Sequence, residues 1–142
     1  MIIRGRYIGD TPYLAGYLSI AHFQGMIWFL VDTGASRTTL LDRDARLLSI
    51  APDLLIPSQL PIVGIGGSVR SFLLKGAEII LTSDEGDFVL QQDLWVVQHD
   101  LEQLPPEEVA RILRLPSVLG RDLINRFVLT CDYQTGVVQL RR

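Results

Sequence analysis

Asp32 lies in the stretch Phe29-Leu30-Val31-Asp32-Thr33-Gly34-Ala35-Ser36, directly after six apolar residues, Met26 to Val31. A carboxylate at the end of a buried strand is costly unless it is paired or hydrogen-bonded. Gly34, two residues on, permits close backbone approach and an unusual turn. Thr33 adds a hydroxyl that can bond across to another backbone. A carboxylate held rigidly among donors, with water restricted, can serve as a general acid or base. The bland alternative is an aspartate capping a β-turn, because Asp-Thr-Gly is ordinary turn chemistry. Context favours the catalytic reading: an apolar strand precedes the tripeptide, the small pair Ala35-Ser36 follows it, and two further elements lie downstream.

The first of these is Val63-Gly64-Ile65-Gly66-Gly67, a glycine-rich tip between extended arms that reads as a hairpin. It lacks the lysine of a P-loop and the spacing of a dinucleotide-binding turn. The second is Val118-Leu119-Gly120-Arg121-Asp122-Leu123, in which Arg121 and Asp122 read as a local contact at a helix start. Cys131 follows Phe127-Val128-Leu129-Thr130 and is expected as a buried, inert thiol. His22 and His99 cannot build a histidine-rich metal site with one cysteine, so neither a metal nor a cofactor is expected. Trp28 and Trp95 are expected to fill core.

These residues need a scaffold, and the chain of 142 residues suits one domain spanning 1–142. Short apolar runs broken by Gly, Pro, Asp and Ser argue for a mostly β fold. Strands are expected over Ile2 to Ile8, Tyr13 to Ile20, Met26 to Val31, Thr38 to Leu41, Ser71 to Leu74, Ala77 to Leu81, Asp87 to Val97, Phe127 to Asp132 and Val137 to Leu140. Asp42 is expected to cap a brief helix through Leu48 that places Leu47 and Leu48 inward. Pro105-Pro106-Glu107-Glu108 opens a second helix ending near Leu113, with its acids at the favourable end. A short helical patch is expected over Arg121 to Arg126.

Charge excludes some partners. With 13 basic and 16 acidic residues, a net charge of −3 and no basic stripe, the chain carries no nucleic-acid footprint. Thr11 to Val31 has no charged residue and is about long enough to span a bilayer. Its centre holds Gly16, His22, Gln24 and Gly25, so it reads as a hairpin, with no membrane partner expected. The opening residues lack the charged-then-apolar order of a signal peptide, which points to a cytoplasmic protein. An apolar share of 48% and a positive mean hydropathy of +0.27 suggest surface hidden against another subunit.

The stretch Leu30 to Ser36 resembles the active-site loop of retropepsin-type aspartic proteases, the single-domain relatives of pepsin. Val63 to Gly67 resembles their flap, and Val118 to Leu123 resembles their second landmark, two apolar residues, glycine and a short helix. The resemblance implies a closed retropepsin-like β-barrel with one or two short helices, and an endopeptidase acting on peptides or proteins. It implies a catalytic role for Asp32, Thr33 and Gly34, and substrate contacts from Ala35, Gly64, Ile65, Gly66 and Gly67. Apolar residues near Val31, Ile62 and Ile65 would wall the pocket. Two carboxylates are needed, and one chain has one Asp-Thr-Gly, so the resemblance implies a homodimer with Asp32 from each subunit. Ile2-Ile3 and Val137 to Leu140 are the strands expected at its interface. Ser36 departs from the viral pattern, where an acid pairs with the arginine matching Arg121, so Arg121 needs another partner. The rival reading is a non-catalytic dimer that binds extended peptides by strand addition.

Overall fold

Alternation along Thr11 to Val31 decides the first half of the fold. Leu14, Leu18 and Ile20 face one way with Ile27, Phe29 and Val31, and all are buried, as a period of two requires. The computed structural model describes residues 1–58 and 69–142. In it, β3 (Thr11–Ile20) and β4 (Phe23–Val31) form an antiparallel hairpin. Both strands are longer than expected, and the turn shrinks to Ala21-His22, with Ala21 at a φ of +49°. Tight two-residue hairpins need that left-handed geometry. Among the described residues, no helix is long and apolar enough to cross a membrane.

Upstream, the first expected strand is split at Gly5 into β1 (Ile2–Arg4) and β2 (Arg6–Ile8). A Cβ at Gly5 would come within 2.2 Å of the Tyr13 carbonyl oxygen, so only glycine lets the chain pass there. Downstream come β5 (Thr39–Leu40), α1 (Asp42–Leu47) and β6 (Leu55–Ser58). Next, β7 (Val69–Ser83) and β8 (Gly86–His99) form the longest hairpin, turning at Asp84-Glu85. The ladder is interrupted between Leu74 and Ala77, where Gly76 takes a φ of +69°. The chain closes with α2 (Pro106–Ile112), β9 (Val118–Leu119), α3 (Arg121–Ile124), β10 (Val128–Asp132) and β11 (Val137–Arg141).

The pairings run in a ring: β3 to β4, β9, β5, β8, β7 and back to β3. Two links are parallel, β4 with β9 and β5 with β8, and both involve strands of two residues. Leu14, Phe29, Leu40, Ile79, Leu94, Leu119 and Leu123 are fully enclosed. Outside the ring, β1 pairs with both β7 and β11, and β11 also pairs with β10.

Several expectations are corrected. Leu48 is buried, but Leu47 is 75% exposed, because the six-residue helix presents only one face inward. Asp42 is not the cap: it is the first helical residue, and its carboxylate turns to His99. Cys131 is exposed, since β10 is the last strand of its sheet and lies open on one edge. β1 and β11 pair with each other inside one chain, and the two ends of the strand order are β10 and β2. Trp95 is buried as expected, while Trp28 is half-buried under the Arg6 guanidinium, 4.3 Å from the ring centroid.

Candidate active site

The position of Asp32 follows from the parallel pairing of β4 with β9. Leu30 and Val31 lie beside Val118 and Leu119, and the Leu30 N–H donates to the Ser117 carbonyl at 2.8 Å. The ladder extends one residue further, where the Asp32 N–H donates to the Leu119 carbonyl at 3.1 Å. Asp32 therefore leaves the sheet with its backbone still pinned, and its half-buried side chain stands at the strand end.

The loop that follows is self-braced. Asp32 Oδ1 accepts the Gly34 N–H at 2.8 Å, and the Asp32 carbonyl accepts the Ala35 N–H at 3.2 Å. A Cβ at Gly34 would lie 3.1 Å from that same Oδ1, so any side chain there crowds the carboxylate. Asp32 Oδ2 has no hydrogen-bond partner among the described residues, which leaves it able to meet a water or a second carboxylate. Thr33 is exposed at the tip. The structure thus brings Asp32, Thr33, Gly34 and Ala35 into one turn. Gly64, Ile65, Gly66 and Gly67 lie outside the described residues.

A second layer holds this loop from behind. Arg121 Nη1 donates to the Thr33 carbonyl at 2.9 Å, which gives the arginine the partner that Ser36 cannot supply. The Arg121 and Asp122 N–H groups donate to the carbonyls of Ala35 and Ser36 at 2.9 and 3.2 Å. The start of α3 is therefore stitched to the loop through main chain. Gly120 makes this approach possible: a Cβ there would sit 2.4 Å from the Arg37 carbonyl carbon and 2.7 Å from its nitrogen.

Asp122 does not pair with Arg121. Its carboxylate accepts the Thr38 N–H at 2.9 and 3.0 Å, the Thr38 hydroxyl at 2.8 Å and the Gln92 amide at 2.9 Å. The fully buried Thr38 oxygen in turn accepts the Gly120 N–H at 3.1 Å. Sequence reasoning missed Thr38 and Gln92, because ordinary polar residues 84 and 30 positions from Asp122 give no local signal. Beside the loop, an open cavity of about 500 Å³ is lined by Ser36, Arg37, Leu73, Asp93, Trp95 and Asp122. The Arg37 guanidinium stacks over Trp95 at 4.6 Å on its wall.

No known protein-family pattern and no curated protein matches the sequence. Solved structures do match. A retropepsin-like aspartic protease from Rickettsia conorii is 22% identical, with a TM-score of 0.57, over 99% of this chain and 88% of that one. EIAV protease, complexed with the inhibitor HBY-793, is 17% identical, with a TM-score of 0.51, over 84% of this chain and 89% of that one. The mostly β architecture agrees with these likenesses: the chain has the fold of the retropepsin-like aspartic proteases.

Proposed function

We propose that the protein is an aspartic endopeptidase that works as a homodimer, with one Asp32 from each subunit facing the other. The observation that carries this reading is the Asp32 turn, with one carboxylate oxygen anchored on the Gly34 N–H and the other unengaged among the described residues. Two carboxylates held a few ångströms apart cannot both ionise, so the pair shares a proton. The ionised member takes a proton from water while the protonated member polarises the scissile carbonyl, and no covalent intermediate is needed. Thr33 and Gly34 shape the turn, and Ala35, Gly64, Ile65, Gly66 and Gly67 supply the substrate contacts on the strength of their sequence alone. A closed β-barrel and a single domain over residues 1–142 belong to the same reading.

Incubating the protein with unstructured polypeptides, alongside the Asp32→Asn variant, tests it. The amide is nearly isosteric yet cannot shuttle the proton, so the wild-type protein should cut and the variant should not. Equal cleavage by both would remove Asp32 from the chemistry. Saturable peptide binding without cleavage by the wild-type protein would select the non-catalytic peptide-binding dimer instead.

A further inference from the structure

Arg37 follows the Asp32 turn, two residues before β5 begins. The backbone there is clamped. Gly120 packs directly against the Arg37 main chain, and the Thr39 hydroxyl donates to the Arg37 carbonyl at 3.1 Å. The next residue is held on both sides: the Thr38 N–H donates to Asp122, and the Thr38 carbonyl accepts the Trp95 N–H at 3.2 Å.

The Arg37 side chain is oriented by Trp95. Its guanidinium stacks over that buried ring at 4.6 Å from the centroid. A stacked guanidinium keeps its N–H groups in its own plane, so stacking leaves its hydrogen-bonding edge free. Among the described residues the guanidinium has neither a hydrogen-bond acceptor nor an ion-pair partner. Arg37, Leu73 and Trp95 line the open cavity of about 500 Å³ beside the turn. Neither acid of that cavity pairs with Arg37. Asp122 gives its carboxylate to Thr38 and Gln92, and Asp93 Oδ1 accepts the Gly76 N–H at 3.0 Å. The cavity therefore offers a preorganised cation beside the apolar surface of Leu73 and Trp95.

We infer that this cavity is a substrate subsite in which Arg37 selects an acidic side chain, glutamate or aspartate, on the peptide to be cut. The inference rests on the peptidase reading and adds the substrate class to it. Five residues of chain separate Arg37 from Asp32 and span at most about 17 Å, while an extended peptide advances about 3.3 Å per residue. The selected acid thus lies within about five residues of the scissile bond. Carboxylate and guanidinium meet in plane as a fork, a charge-assisted and geometrically specific contact. A two-fold dimer holds the cavity twice, so an acid can be read on either side of the cut.

The test is digestion of a random-sequence peptide library by the wild-type protein, with cut sites read by mass spectrometry. Kinetics follow on matched peptides that carry Glu, Gln or Lys at the enriched position. Acidic residues should be enriched near the cut, and kcat/KM should favour Glu over Gln by about fivefold. Arg37→Gln should bring that ratio close to one, and Arg37→Glu should turn the preference to Lys. Each ratio compares peptides on one enzyme sample, so a general loss of activity in a variant cancels. Cut sites without acidic enrichment, or a Glu preference that survives in Arg37→Gln, would overturn the inference and leave the peptidase reading standing. Failure to cut any peptide would overturn both.

Discussion

Arg121 donates from its guanidinium to the main-chain carbonyl of Thr33 at 2.9 Å, across 88 residues of sequence. The contact ties the exposed tip of the Asp32 turn to α3 without any acid at position 36. If the turn does the proposed chemistry, Arg121 positions it without touching the reacting atoms. Arg121→Gln should lower kcat by about tenfold, with KM changed far less, since misplacement of the carboxylate acts in the transition state. Circular dichroism and the unfolding midpoint should stay near wild type, because the side chain is exposed. An unaltered kcat would leave the contact a purely structural one.

Gly120→Ala should be among the most destabilising single changes in the chain. Its methyl group would meet the Arg37 backbone at 2.4 to 2.7 Å, and main chain cannot yield as a flexible side chain does. A loss of about 3 kcal/mol is expected in denaturant unfolding. A loss below about 1 kcal/mol would show that the loop and α3 slide apart easily.

The Asp122 cluster makes a graded prediction. Asp122→Ala strands the buried Thr38 N–H and hydroxyl, at a cost of about 3 kcal/mol. Asp122→Asn should cost much less, because its carbonyl still accepts from Thr38. Its new amide can also turn toward Gln92 Oε1, which is buried and has no partner among the described residues. If both variants lose the same stability, the carboxylate charge rather than the hydrogen-bond pattern is what matters.

Activity should belong to the dimer. Well below the dimer constant, total peptidase activity should rise with the square of protein concentration, and well above it linearly. Deleting the last strand does not test this cleanly, because β11 is paired on both sides within its own chain and its loss would disrupt the sheet. Specific activity that stays constant on dilution, with only monomer in sedimentation, would rule out a shared site. In the dimer, the rate should follow a bell-shaped curve on the acid side of neutrality, with both limbs belonging to the coupled pair.

One acid-linked effect is local. Hydrogen bonds from the Thr135 hydroxyl and backbone, and from the Gln134 N–H, hold the Asp132 carboxyl below the usual carboxylate range. A lowered value means that the ionised form is the one bound in the folded hairpin. Its contribution is therefore complete above the ordinary carboxylate range and disappears as pH falls through the lowered value. Amide exchange at Gln134 and Thr135 should accelerate over that acidic interval, and Asp132→Asn should flatten the change. Exchange that is insensitive to pH beyond its intrinsic dependence would contradict this.

Sequence by itself settled the hairpins and the Asp-Thr-Gly turn. The alternation in Thr11 to Val31 and the turn residues Ser83-Asp84-Glu85-Gly86 specify hairpins, because antiparallel neighbours are joined by a few residues and carry their register in the pattern. The Asp-Thr-Gly turn was legible for the same reason: its bond from Gly34 to Asp32 spans two positions. Tertiary structure alone decided the rest. The parallel contacts of β4 with β9 and β5 with β8 each join a long strand to a two-residue strand from a distant part of the chain, which is too short to show any period. Leu47 looked as apolar as Leu48, yet helix geometry sends one out and the other in. Cys131 sits in an apolar run that becomes an edge strand, and no residue within that run says which side a neighbour will cover. The partners of Arg121, Asp122 and Asp42 are likewise main-chain atoms and polar side chains brought close only by the completed sheet, where burial obliges each polar group to find whatever partner the fold supplies.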